Sequence, residues 1–112
     1  MSSFKKTLMK QGMKLMTDPR VMKFVADFKK RYHETPDALA AVAYDAAKVM
    51  CDAIKRAGST DRAKIRDAIA ATKNFPGVTG DITLDDKRNA VKPAVILQVS
   101  GKDYKYVATV KP

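Results

Sequence analysis

The sequence has little of what usually carries chemistry. Cysteine occurs once, at Cys51, which excludes an internal disulfide and any multi-cysteine zinc site. Val49, Met50 and Ile54 around it read as an apolar stretch of helix, so a small buried filler is expected there. Histidine also occurs once, at His33 beside Glu34, where an exposed linker residue is expected. No metal-ligand spacing is present. No pair of glycines has the spacing of a phosphate-binding loop followed by a helix. Ser2, Ser3, Ser59 and Ser100 fall at the terminus, a cap and a turn, outside any nucleophile motif. The pair Asp85-Asp86 lies beside Lys87 and Arg88 in what reads as a solvated turn. Catalysis, a metal and a cofactor are therefore not expected, and the residues leave any ligand-binding positions unknown.

Long apolar runs are missing as well. None approaches the roughly 20 residues of a membrane span. Lys5, Lys6, Lys10 and Lys14 break up the N-terminus, which lacks the apolar stretch of about 7–15 residues that a secretory signal needs. As written, the chain reads as cytoplasmic, or as one lacking its leader.

What is present suits one small domain with one site: 112 residues, 46% of them hydrophobic and 30% charged. Lys and Arg number 22 against 12 Asp and Glu, a formal charge of +10. Four of those charges sit in residues 1–17, which contain no acid. Phe4, Leu8, Met9, Met13, Leu15 and Met16 recur there at roughly helical spacing, and Gly12 weakens the helix. A basic amphipathic leader is expected, able to meet an anionic surface. The other basic residues are dispersed. Phe24, Phe28 and Tyr32 share one helical stripe and read as core, so nucleic-acid binding is not expected.

The chain then divides by periodicity. Asp18 can cap a helix that opens with Pro19 and carries the stripe Val21, Phe24, Val25, Phe28 and Tyr32. Lys29-Lys30-Arg31 falls at its C-terminus, where cations complement the helix dipole. A longer helix is expected over Pro36–Ala57, capped by Thr35. Its buried face would hold Leu39, Val42, Ala43, Ala46, Val49, Met50, Ala53, Ile54 and Ala57, and Gly58 would end it. A further helix, Asp61–Ala71, would be capped by Thr60. Asn74-Phe75-Pro76-Gly77 reads as a turn. Val78, Gly80, Ile82 and Leu84 then alternate. Asp85–Asn89 reads as a loop, Pro93–Val99 as a strand covered on both faces, and Tyr104–Lys111 as an alternating strand after the turn Ser100–Asp103.

Several segments in this order resemble one family. They are Asp18-Pro19-Arg20-Val21 with Phe24 to Tyr32, then Pro36-Asp37-Ala38, then Ala43-Tyr44-Asp45-Ala46-Ala47 leading to Asp52 to Ser59. Ile65 to Ile69, Phe75 to Gly80 and Lys92 to Val99 complete the series. From Asp18 onward the chain resembles the C-terminal part of type I periplasmic solute-binding proteins, the leucine/isoleucine/valine receptors of ABC transporters. The resemblance implies an α/β fold, or α+β for an isolated piece. It would have two to four helices followed by about three short strands, as a partial lobe of the receptor. Residues 18–112 would be the receptor-like domain and residues 1–17 a leader outside the family.

The implied function is non-enzymatic: a truncated branched-chain amino-acid binding domain of an ABC transport system. Its partners would be an amino acid and the transporter's membrane subunits, and its location the periplasm. The main contacts to a ligand's amino and carboxylate groups come, in such receptors, from upstream segments that match nothing here, so binding by this chain alone is not expected. Tyr44 reads as packing. Faces that a full receptor would cover imply a homo-oligomer. The alternative is a small basic interaction module that reaches an anionic partner through its N-terminal lysines.

Overall fold

The computed structural model describes residues 18–112. The basic leader expected at residues 1–17 lies outside the described residues. Helix α1 (Pro19–Tyr32) begins as its sequence dictates. Asp18 has extended backbone, its carboxylate accepts a hydrogen bond from the Arg20 N–H at 2.9 Å, and Pro19 stands where a missing N–H costs nothing. The Arg20 guanidinium also reaches Asp18 at 2.6 Å. That side-chain bond first, and the backbone bond second, hold the Asp18 carboxyl below the usual carboxylate range. The helix stops at His33, which is left-handed (φ 57°) and donates its N–H to the Lys29 carbonyl. His33 is exposed, as expected, and serves as a C-cap. Phe24, Phe28 and Tyr32 stack along one side, with ring centroids 6.0 and 4.7 Å apart. Phe24 is buried, Phe28 half-buried and Tyr32 exposed, so the stripe is core only at its start.

The chain forms two compact units. One reaches to Asp37 and includes Pro93–Pro112; the other is Ala38–Lys92. In the second, helix α2 (Ala38–Ala57) starts two residues later than expected, directly after Asp37, a better capping type than Thr35. It ends at Gly58, whose left-handed backbone (φ 61°) lets its N–H reach back to the Ile54 carbonyl. Helix α3 (Arg62–Ala70) is capped by Asp61 and not Thr60, the Asp61 carboxylate accepting from the Lys64 N–H at 3.1 Å. Ser59 Oγ accepts in turn from the Asp61 N–H. Helix α2 packs on α3 and touches the first strand.

Five strands follow where three were expected. Strands β1 (Phe75–Gly77), β2 (Gly80–Leu84) and β3 (Ala90–Val91) form an antiparallel sheet in that order, with Phe75 opposite Ile82 and Thr83 opposite Val91. Pro76 sits in β1, an edge strand, the place where a sheet tolerates proline. Asp85–Asn89 is a loop, as expected. The Asp85 carboxylate accepts from the N–H groups of Lys87 and Asn89, and Asp86 is exposed.

In the first unit β4 (Ala94–Ser100) and β5 (Asp103–Val110) form a hairpin around Gly101, which is left-handed (φ 62°). The register shifts after Ile96, leaving Val107 as the extra residue of a bulge. Pro93–Val99 was expected to be covered on both faces. Pro93, Ala94, Ile96, Gln98 and Val99 are exposed. The α2 stripe departs from expectation in the same way. Ala53 is buried, Val49 and Ala57 are half-buried, and Leu39, Val42, Ala43, Ala46, Met50 and Ile54 are exposed. Cys51, expected as a buried filler, is exposed too. Two residues before Ala53, it points to the opposite side of the helix. Tyr44, read as packing, is exposed, with the Lys48 ammonium 5.5 Å from its ring centre.

Candidate functional site

The most constrained side chain in the Ala38–Lys92 unit is an acid. Asp45 lies two turns into α2 and is only 2% exposed. A carboxylate is costly to bury without donors, and Asp45 has three. It accepts from the Val78 N–H at 2.8 Å, the Thr79 N–H at 2.9 Å and the Thr79 hydroxyl at 2.5 Å. Val78 and Thr79 are the two residues of the β1–β2 turn. The Thr79 hydroxyl also accepts from Lys92 Nζ at 2.7 Å, so it relays between a carboxylate and an ammonium. Gly77 is required beside this brace. A Cβ there would stand 2.7 Å from the Asp45 carboxylate oxygen and 2.9 Å from the Gly80 carbonyl oxygen.

A second brace ties the two helices of this unit. The Arg56 guanidinium bonds Asp52 on its own helix at 2.8 Å, the Ala68 carbonyl near the end of α3 at 2.8 Å, and the buried Thr72 hydroxyl at 3.1 Å. The Thr72 carbonyl then accepts from the Leu84 N–H of β2. Arg56 is a cation in the last turn of its own helix, and it also satisfies a carbonyl in the last turn of the next one.

Beside Asp45 is an apolar hollow of about 310 Å³, walled by Val42, Ala46, Val49, Ile82 and Ala90 with Lys92 at its margin. It adjoins a larger hollow of about 770 Å³, and Met50, Ile69 and Leu84 line both. Arg62, Arg66, Asp67, Asp85, Asp86 and Arg88 stand around the larger one. The result is a groove with an apolar floor and a rim of mixed charge. Asp45 at its edge receives three hydrogen bonds, an arrangement that braces helix to turn. Among the described residues, no group of three or more His, Cys, Asp or Glu comes together to hold a metal ion. No helix among them is long and apolar enough to cross a membrane.

Sequence reasoning quoted Asp45 only as part of a familiar stretch. The available signal was an acid set among Val42, Ala46 and Val49 on an apolar helix face, which in a folded chain must find donors.

Comparison with known proteins follows these elements closely. The sequence model described as periplasmic binding protein matches residues 7–105, beginning inside the segment expected to lie outside the family. The leucine binding protein LivK from Thermotoga maritima superposes with a TM-score of 0.74 at 40% identity, over 88% of this chain and 28% of that one. The branched-chain amino acid transporter substrate binding protein LivJ from Streptococcus pneumoniae, solved in complex with isoleucine, gives 0.73 at 29% identity over 99% of this chain and 29% of that one. A solute binding protein from R. palustris, in complex with benzoate, shares the fold at 22% identity with a TM-score of 0.72. The chain thus spans less than a third of the length of the solved relatives it matches.

Proposed function

The chain belongs to the periplasmic binding protein family, and on that premise we propose that it is the C-terminal part of a branched-chain amino-acid receptor serving an ABC transporter. The observation that carries this reading is its 40% identity, at a TM-score of 0.74, with a leucine binding protein. The reading is non-enzymatic, needs no cofactor, and places the working receptor in the periplasm with the transporter's membrane subunits as partners.

Binding of the solute requires more than this chain. A ligand site buries most of its ligand in a concave pocket with a few aimed polar groups. Here the one buried carboxylate among the described residues is engaged by the β1–β2 turn, and the apolar groove beside it is open. Calorimetry of the isolated chain with leucine, isoleucine and valine is therefore expected to show no saturable heat. Tight binding would overturn the requirement for further elements. Saturable binding of another class of amino acid alone would overturn the branched-chain assignment.

Alone, the chain self-associates through its uncovered apolar side chains. Leu39 on α2 is 78% exposed, and Val42, Met50 and Ile54 are exposed on the same helix, the kind of apolar surface that favours association. Light scattering at tens of micromolar should report species larger than one chain, and a stable monomer would contradict this.

A further inference from the structure

We infer that the larger hollow of the Ala38–Lys92 unit binds an alkyl carboxylate, its chain laid on the apolar floor and its head held by Arg62 and Arg88. Three observations carry this. The first concerns the guanidinium groups. Arg20, Arg56 and Arg66 each pair with an aspartate, and Arg31 lies over the Tyr32 ring. Arg62 and Arg88 have no such partner among the described residues, and both line the same hollow of about 770 Å³. The second concerns their backbone positions. Arg62 opens α3, where a cation opposes the helix dipole. Arg88 is left-handed (φ 68°), a region that side chains seldom occupy. Neither cation is placed to the advantage of its own element, and an anion brought from outside would satisfy both. The third is the floor, made by Met50, Ile65, Ile69, Ala70 and Leu84. It is aliphatic throughout. With no aromatic ring to stack on, it suits a flexible methylene chain better than a flat ligand.

The acids around the hollow do not reverse this preference. Asp67 is held by Arg66, and the Asp85 carboxylate accepts from the Lys87 and Asn89 N–H groups. Asp86 is left to face two unpaired guanidiniums, so the uncommitted charge is cationic. A guanidinium can meet a carboxylate with two parallel N–H bonds, which fixes the head while the chain is held by burial alone. The site goes beyond the branched-chain reading and does not depend on it. Leucine carries an ammonium beside its carboxylate and a side chain too short to cover this floor, so it is not the ligand of this hollow.

The test is calorimetry of the full chain with decanoate at neutral pH, below its micelle concentration. Saturable one-to-one binding is expected, with decanol weaker by about tenfold and decyltrimethylammonium weaker still. Arg62→Gln and Arg88→Gln should each weaken decanoate and leave decanol unchanged. Met50→Glu should weaken both. Lys48→Gln should alter neither, since that ammonium lies at the Tyr44 ring and outside the hollow. Circular dichroism confirms that each variant folds. Absence of saturable heat from decanoate overturns the inference. So does equal binding of the three amphiphiles, or equal behaviour of the arginine variants and the parent, either of which means adsorption to exposed apolar surface. Calorimetry with leucine reports separately on the functional reading, because neither result with leucine predicts the result with decanoate.

Discussion

In the Ala38–Lys92 unit, hydrogen bonds from Asp45 and Arg56 fasten helix to turn and helix to helix around Ala53, Thr72, Val78 and Ile82, all buried. In the unit that contains α1 and the β4–β5 hairpin, Phe24 is the one buried apolar side chain among those described, and Val99, Val107 and Val110 are exposed. The Ala38–Lys92 unit is small but internally fastened. The other holds local structure, a capped helix and a tight hairpin, with little apolar burial among its described residues. A two-stranded hairpin is marginal in water without something packed on its face. The contrast teaches that polar braces can hold a partial fold in register where apolar burial is too scarce to do so.

The sharpest way to break that contrast is to remove the brace. Asp45→Ala leaves one buried and one part-buried backbone N–H without an acceptor, and should cost about 3 kcal/mol in urea unfolding. Amide exchange at Val78 and Thr79 should accelerate first; unchanged protection there would mean the brace is ornamental. Phe24→Ala should cost about 3 kcal/mol by deleting the main buried ring of the other unit. Its effect on amide exchange should concentrate in α1, and equal loss across Ala38–Lys92 would show that the two units unfold as one block.

Gly77→Ala sharpens the comparison without removing any hydrogen-bonding group. The added methyl meets the Asp45 carboxylate and the backbone of Gly80, and should cost about 2 kcal/mol through displacement of the turn. A melting temperature equal to that of the parent would show that the turn has slack.

The smallest effect lies at the exposed start of α1. The folded Asp18 carboxyl titrates below its ordinary range, so its contribution is complete above the unfolded value of about 3.9 and is lost as pH falls through the lower folded value. Asp18→Asn keeps a good cap but has no carboxylate to titrate. The parent should lose α1 helicity on acidification more steeply than the variant, and parallel acid profiles would remove the Arg20 interaction from the account.

Much of this was legible in the residues. Asp18-Pro19 and Gly58 announce helix ends because caps are local events, settled within a turn of chain. The period change after Thr72 marked the passage from helices to strands. What stayed hidden was non-local. Phe75-Pro76-Gly77 looks like a turn until β2 supplies its pairing partner. Asp45 looks like a surface acid until Val78 and Thr79, more than thirty residues on, present their N–H groups. The exposed stripe of α2 was misjudged for a different reason. A 3.6-residue pattern states that a face needs covering, and says nothing about which polypeptide covers it. The same limit hid the groove, whose outline exists only once α2, α3 and β2 are assembled.

The separation between Asp45 and its partners also fixes an order of events during synthesis. Asp45 is joined to the chain before residues 78 and 79, and until their N–H groups are presented water must solvate its carboxylate. The contact spans 33 residues, so it is costlier in chain entropy than the caps at Asp18 and Asp61, which close within three residues. Until that contact forms, the apolar stripe of α2 carries a carboxyl group without its donors. Burying the stripe before the turn docks would leave that group unsatisfied, so the turn and the stripe are buried together.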